Sequence, residues 1–282
     1  MMRKALALAA VIGLAAAFGP PAFAETTALP LKEAHWSFEG PFGRFDQEQL
    51  QRGYKVYHDV CSACHSMNLM SYRNLGQLGG PFYDPKYANP NDNPYVKTIV
   101  KDYEVADIDT DTGDPTKRPA TPADTFHAPF ANEYAARGSN GGALPPDLSL
   151  IIKAREDGPR YAYSILTGYA PAPAGLQTPT ARYYNPYMPG DLSSFWKGSG
   201  AVPPGGFIAM PFQLTPNRVT FDDGTPATTE QEAKDVVAFL TWASEPHADE
   251  RKTLGLGVMV FLVIFTGLLY ASYRAIWKNV KH

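Results

Sequence analysis

The chain is poor in cysteine, with two among its 282 residues, at positions 61 and 64. A zinc site of paired cysteines is excluded, because no second pair exists to complete the ligand set. No structural disulfide is possible within the chain once those two thiols are engaged elsewhere. Basic excess is also lacking. Against 25 lysines and arginines stand 28 aspartates and glutamates, a net charge of -3, which excludes a nucleic-acid footprint. No internal repeat is visible. The 26 prolines and 24 glycines point to a loop-rich body with short helices rather than a regular bundle.

The two cysteines that are present lie in Val60-Cys61-Ser62-Ala63-Cys64-His65. Cys-x-x-Cys-His is the covalent haem attachment signature. Two thiols one helical turn apart can add across the two vinyl groups of one porphyrin, and the adjacent imidazole then serves as proximal iron ligand. A thioredoxin-like dithiol would need a strand and a βαβ context before the motif, and residues 49–57 do not offer it. Cys61, Cys64 and His65 therefore form one expected unit, binding a single haem c, with His65 on the iron.

The ends of the chain set its compartment. Arg3 and Lys4 precede an apolar run over residues 5–18, and Ala22-Phe23-Ala24 is a small-residue cleavage site, so residues 1–24 read as a secretory signal. Near the other end residues 254–273 carry no charge and would span about 30 Å as a helix, the thickness of a hydrocarbon core. Arg251 and Lys252 stand before this run, and Arg274, Lys278 and Lys281 after it. Tyr270, Tyr273 and Trp277 occupy the place of interfacial aromatics. The expected organisation is a signal at 1–24, an exported domain at 25–250, a transmembrane anchor at 254–273 and a cytoplasmic tail at 274–282.

Roughly 220–230 residues remain between signal and anchor, enough for one large domain. Asp46 and Gln49 predict a capping box, followed by a helix with Leu50, Tyr54, Tyr57 and Cys61 on one face, directed at the haem. The prolines at 81, 85, 90 and 94 predict an extended loop after His65. Six acidic residues between Asp102 and Asp114 read as a solvated loop or as a patch that steers a basic partner. Asp147 is placed to cap a helix bearing Leu148, Ile151 and Ile152, and a short helix is expected from about Arg160 to Leu166. Arg155 and Tyr161 could donate to haem propionates. Thr228 and Gln231 predict a last capped helix, which should pack across the first.

A second axial ligand separates electron transfer from catalysis at an open iron. Of seven methionines, Met1 and Met2 fall in the signal and Met259 in the anchor, while Met67 and Met70 follow His65 too closely to reach the opposite haem face. Met188 and Met210 remain, each before a proline, and either could ligate.

Taken in order, several motifs resemble the cytochrome c1 family, the membrane-anchored c-type subunit of the bacterial cytochrome bc1 complex. They are the Cys61 motif, Gly142-Ala143-Leu144-Pro145-Pro146-Asp147-Leu148-Ser149, Leu166-Thr167-Gly168-Tyr169, Tyr184-Asn185-Pro186-Tyr187, Asp222-Asp223-Gly224-Thr225-Pro226-Ala227-Thr228, and Ala243-Ser244-Glu245-Pro246 before Arg251-Lys252. The resemblance implies a mainly α, loop-rich, cytochrome c-like haem domain with insertions, on the periplasmic side of the bacterial inner membrane, plus one C-terminal transmembrane helix. It implies Met210 as sixth ligand, and Arg155 and Tyr161 as propionate contacts. It further implies electron transfer from the Rieske iron-sulfur protein to a soluble cytochrome c, beside a cytochrome b subunit in a dimeric complex, with no acid–base catalysis by this chain. Residues 191–206 depart from the family pattern as an insertion. Another anchored c-type cytochrome, such as an oxidase subunit, and a haem enzyme with an open sixth site are the rival readings.

Overall fold

The computed structural model describes residues 28–279; the expected signal at 1–24 and Lys281 lie outside the described residues. Among the described residues there are six helices and two small antiparallel sheets, a mainly α architecture with long connecting loops.

The first helix, α1 (Gln47–Asp59), starts where the Asp46 carboxylate accepts the backbone N–H groups of Glu48 and Gln49 at 3.0 and 3.4 Å. Its Gln49 side chain does not close a capping box. It reaches instead to buried Asp235 at 2.8 Å, a long-range partner that a local rule cannot see. The helical face bearing Leu50, Tyr54 and Tyr57 packs on α5 (Thr229–Ser244) and on Phe126 rather than pointing to the end of α1. Gly53 marks the crossing point. A Cβ there would run into the Asp235 carbonyl oxygen and would lie 2.7 Å from the Phe239 Cβ, so only glycine lets the two backbones approach this closely. α5 has the cap expected of Thr228, whose hydroxyl accepts the Gln231 N–H at 3.2 Å. Its Ala233, Val236 and Val237 are fully or almost fully buried.

The stretch after His65 is more structured than its prolines suggest. A five-residue 3-10 turn (Tyr72–Gly76) and a short helix α2 (Pro94–Val100) interrupt it. Asn93 caps α2, and Pro94 occupies the first helical position, where its missing N–H costs nothing. The acidic stretch is a β-hairpin and not a plain loop: β1 (Glu104–Ile108) pairs antiparallel with β2 (Pro115–Pro119). Arg118 on β2 meets Asp107 at 3.2 Å and Asp124 at 2.6 Å, so part of the acidic charge is balanced within the hairpin. The Asp109 carboxylate turns inward on the connection, accepting the N–H groups of Asp111 and Thr112.

Two further helices follow, α3 (Glu133–Ser139) and α4 (Gly158–Thr167), with Gly168 closing the second as expected. No helix forms between Leu148 and Arg155. Successive turns stand there instead, with the Ile151 N–H donating to the Leu148 carbonyl at 3.3 Å. The strands β3 (Tyr183–Asn185) and β4 (Gly206–Ile208) pair antiparallel and close off the insertion between them. That insertion packs onto the preceding segment through a small second core of Leu176, Tyr184 and Leu192, flanked by Phe195, Trp196 and Phe207.

Only Glu245, Pro246 and His247 separate α5 from α6 (Ala248–Trp277). Mean hydropathy reaches 2.3 over the most apolar window of α6, which is the one helix among the described residues long and apolar enough to cross a membrane. It begins six residues earlier than the uncharged run because Asp249, Arg251 and Lys252 supply a polar first turn and a half, anchored to the domain below.

Candidate functional site

α1 ends at Val60, and a single 3-10 turn (Cys61–Ala63) carries the motif. The N–H groups of Cys64 and His65 both donate to the Cys61 carbonyl, at 3.1 and 2.9 Å, which winds the three residues into one compact unit. Both cysteines are free thiols and partly buried. Burial, with Cys64 adding to it, pushes the Cys61 thiol up to about 12.

The His65 ring is oriented from behind. Its Nδ1 lies 2.8 Å from the Pro146 carbonyl, which can only accept, so Nδ1 carries the proton and Nε2 presents its lone pair. Burial lowers the His65 pKa against the opposing pulls of that carbonyl and of Asp147, and so favours the neutral imidazole that a metal ligand must be. Outer hydrogen bonds of this kind orient histidine ligands. Two free thiols one turn apart beside an imidazole held in the right tautomer fit a covalently attached haem.

The segment that supplies the Pro146 carbonyl is fastened to the loop after His65. Asp147 accepts from the Ser66 hydroxyl at 2.9 Å and the Asn68 N–H at 2.8 Å through one oxygen, and from the Ser149 N–H at 2.8 Å through the other. The Leu148 N–H adds a bond to the Ser66 carbonyl at 2.8 Å, and the Leu69 N–H one to the Ser149 hydroxyl at 3.1 Å. Burial works against the Asp147 carboxylate, yet the bonds from Asn68, Ser149 and Ser66 hold its pKa below the usual value. The sequence placed Asp147 as a helix cap; its partners in residues 66–68 are non-local, and its cap closes a turn. Removing it strands several donors, each bond to a charged group contributing about 1.5–3 kcal/mol. Asp147→Ala is therefore expected to lower the thermal midpoint of the purified protein by a clear margin. The loss should exceed that of Asp111→Ala on the exposed hairpin, and equal losses in the two variants would sink this account.

The segment continues through Leu148 and Ile152, both in the main core, to Arg155 and Tyr161. The Arg155 guanidinium carbon is 5.8 Å from the Tyr161 ring centroid. The Tyr161 hydroxyl donates to the Met188 sulfur at 3.6 Å. Arg155, Tyr161 and Met188 thus come together, and Arg155 is exposed with a single hydrogen bond, to the Ala154 carbonyl. Met210 arrives separately, two residues beyond β4. Its carbonyl accepts from the Tyr169 hydroxyl at 2.8 Å, while its half-buried thioether enters no hydrogen bond. Sequence reasoning missed Pro146, Tyr169 and the long reach of Asp147. The run Leu144-Pro145-Pro146-Asp147 was the signal: two prolines stiffen a strand whose carbonyls have no helix to feed.

The chain matches the family model described as the cytochrome C1 family over residues 36–280. It is 42% identical over 298 residues to cytochrome c1 of Rhodospirillum rubrum, covering 100% of this chain and 99% of that protein. To the mitochondrial "cytochrome c1, heme protein" of Saccharomyces cerevisiae it is 43% identical over 247 residues, 87% of this chain and 72% of that one. "Cytochrome b/c1" of Bradyrhizobium diazoefficiens is 43% identical over 263 residues, which are 86% of this chain but 35% of that longer protein. With a family match running from residue 36 to residue 280 and relatives at this identity on both sides of the bacterial–mitochondrial divide, the chain belongs to the cytochrome c1 family, the electron-carrying haem c subunits of the bc1 complex.

Proposed function

We propose that this chain accepts an electron from a Rieske iron-sulfur protein and hands it to a soluble cytochrome c, within a dimeric quinol–cytochrome c reductase that also holds cytochrome b. The observation that carries the reading is the His65 imidazole, fixed by Pro146 with Nε2 free, one residue after the second of two free thiols. Haem c, when bound, supplies a one-electron couple. Cys61 and Cys64 would hold it through thioethers, and His65 and Met210 would bind its iron, a thioether donor raising the potential and a filled coordination shell keeping out side chemistry. Arg155 and Tyr161, already in contact, would donate to the propionates, the Tyr161 hydroxyl turning from the Met188 sulfur to do so.

The domain arrangement follows from the two ends. Residues 1–24 direct export, residues 25–250 form the periplasmic domain, 254–273 cross the bacterial inner membrane within α6, and 274–282 form the cytoplasmic tail. The chain performs no acid–base chemistry of its own; the oxidoreductase activity belongs to the complex.

An optical redox titration of the gently solubilised complex tests the reading. A low-spin c haem of positive potential should titrate beside b-type haems. A c haem alone, or beside a-type haem and copper, would overturn the partners proposed and move the chain to an oxidase.

A further inference from the structure

The loop that precedes α1 clasps the root of α6. Lys252 Nζ donates to the carbonyls of Phe38 and Gly43 at 2.6 and 3.0 Å. Arg44 Nη2 donates to the Thr253 hydroxyl at 3.1 Å, and the Phe45 N–H donates to the Asp249 carboxylate at 3.1 Å. Four bonds thus fix residues 38–45 against residues 249–253, and the uncharged run begins at the next residue, Leu254. At 1.5 Å per residue, the clasped positions lie within about one and a half helical turns of the apolar span.

What this loop displays is apolar. Phe38 and Phe45 turn inward, their ring centroids 4.9 Å apart, while Phe42 between them is 76% exposed. A second loop reaches the same level. A Cβ added to Gly79 would come within 3.9 Å of the Pro246 carbonyl oxygen at the junction of α5 and α6, and the neighbouring Leu78 is 54% exposed. The Gln47 amide donates to the carbonyls of Pro81 and Tyr83, which draws this second loop towards the start of α1, next to the clasp. Leaving a phenylalanine and a leucine in water forgoes roughly 1.5–3 kcal/mol each.

The charges at this level suit a lipid surface. Arg44 is exposed, and its guanidinium has a hydroxyl, that of Thr253, as its one hydrogen-bond partner among the described residues. Of the nearby acids, Glu250 is met by His247 at 3.2 Å and Glu245 by Arg251 with an Nε–oxygen distance of 2.6 Å, while Asp249 accepts the Phe45 N–H through Oδ2 and keeps a buried Oδ1 without a partner. Cationic and aromatic side chains flanking a span are the residues that settle at the headgroup layer.

We propose that the face of the domain around the root of α6 sits in the lipid headgroup layer, with Phe42 and Leu78 entering the acyl boundary and Arg44 meeting lipid phosphate. The proposal rests on reading α6 as a membrane span. Continuity with that span selects lipid over a protein partner, because the clasp holds Phe42 at the depth where the helix enters hydrocarbon.

Photocrosslinking of the haem-loaded full chain, in its complex and in nanodiscs of phosphatidylcholine and phosphatidylglycerol, tests the proposal. p-Benzoylphenylalanine replaces Phe42, Val263 or Tyr134 in separate preparations, Tyr134 being 88% exposed on α3. Mass spectrometry after illumination should find lipid adducts at positions 42 and 263 and none at 134. Adducts to another subunit at 42, or none, together with lipid adducts at 263, would overturn the proposal while leaving the span intact. Absence at 263 of adducts both to lipid and to a membrane subunit would overturn the span, and this proposal with it.

Discussion

Replacing Met210 by leucine should lower the midpoint potential of the haem and let it bind carbon monoxide, while Met188→Leu should do neither. The two methionines stand in different surroundings. Met188 lies beside the two expected propionate contacts, its sulfur 3.6 Å from the Tyr161 hydroxyl. Met210 has its backbone fixed instead, by Tyr169 on its carbonyl and by Pro211 after it, which leaves the thioether free to donate. Leucine has nearly the same volume, so the fold should lose less than about 1.5 kcal/mol. Any large change must then come from the lost thioether. Axial ligation sets haem potentials over roughly 0.8 V, and the shift should be a sizeable part of that range. Redox titration and a carbon monoxide difference spectrum on both variants give the answer. If Met188→Leu opens the site and Met210→Leu does not, the ligand assignment is reversed.

The largest expected loss of stability follows Arg52→Met. Asp235 is completely buried in α5 and carries a carboxylate facing α1. Arg52 meets it at 2.8 Å and holds Asp223 at 2.7 Å, so one guanidinium joins α1, α5 and the turn before α5. The amides of Gln49 and Gln231 each reach Asp235 at 2.8 Å, but neither brings a positive charge. Removing one partner of a buried pair typically costs about 3–5 kcal/mol, because the other charge stays buried without compensation. The thermal midpoint of the purified protein should fall accordingly. Arg52→Met combined with Asp235→Leu should recover much of the loss, since apolar groups of similar size can replace a buried pair at little net cost. If the double variant is no better than the single one, the cost lies in packing and not in the stranded charge.

The parts of this structure that were legible in the sequence are those whose signals are local. The Asp46 and Thr228 caps, the periodic faces of α1 and α5, and Gly168 at the end of α4 all follow from a few neighbouring residues. The Cys61 turn was legible for the same reason, because the chemistry itself dictates its spacing. Where the sequence misled, a distant partner had taken over. Gln49 and Gln231 fit a capping box, yet both side chains go to Asp235. Asp147 fits a helix cap, yet two of its three hydrogen bonds come from residues 66 and 68, and the turns it caps do not become a helix. The acidic hairpin was hidden because its strands are almost wholly exposed, so no alternation of apolar residues marks them. Arg155 and Tyr161 stand out in the sequence only as donors beside a turn, matched afterwards by the family resemblance, and the contact between them is a finding of the structure.

The pairing of β3 with β4 bears on how far the chain can change without losing its site. Tyr183, Tyr184 and Asn185 are matched to Ile208, Phe207 and Gly206, so the chain from 186 to 205 leaves and returns at one neck, and beyond Met188, which still meets Tyr161, it is a side excursion. The position of Met210 depends on that neck and on Tyr169, not on the distance the chain travels in between. Halving or doubling such an excursion alters its closure entropy by only about 0.6 kcal/mol. Insertions and deletions should therefore accumulate here at little cost, and an added peptide, such as an affinity handle, would be carried here with the least disturbance to the redox centre.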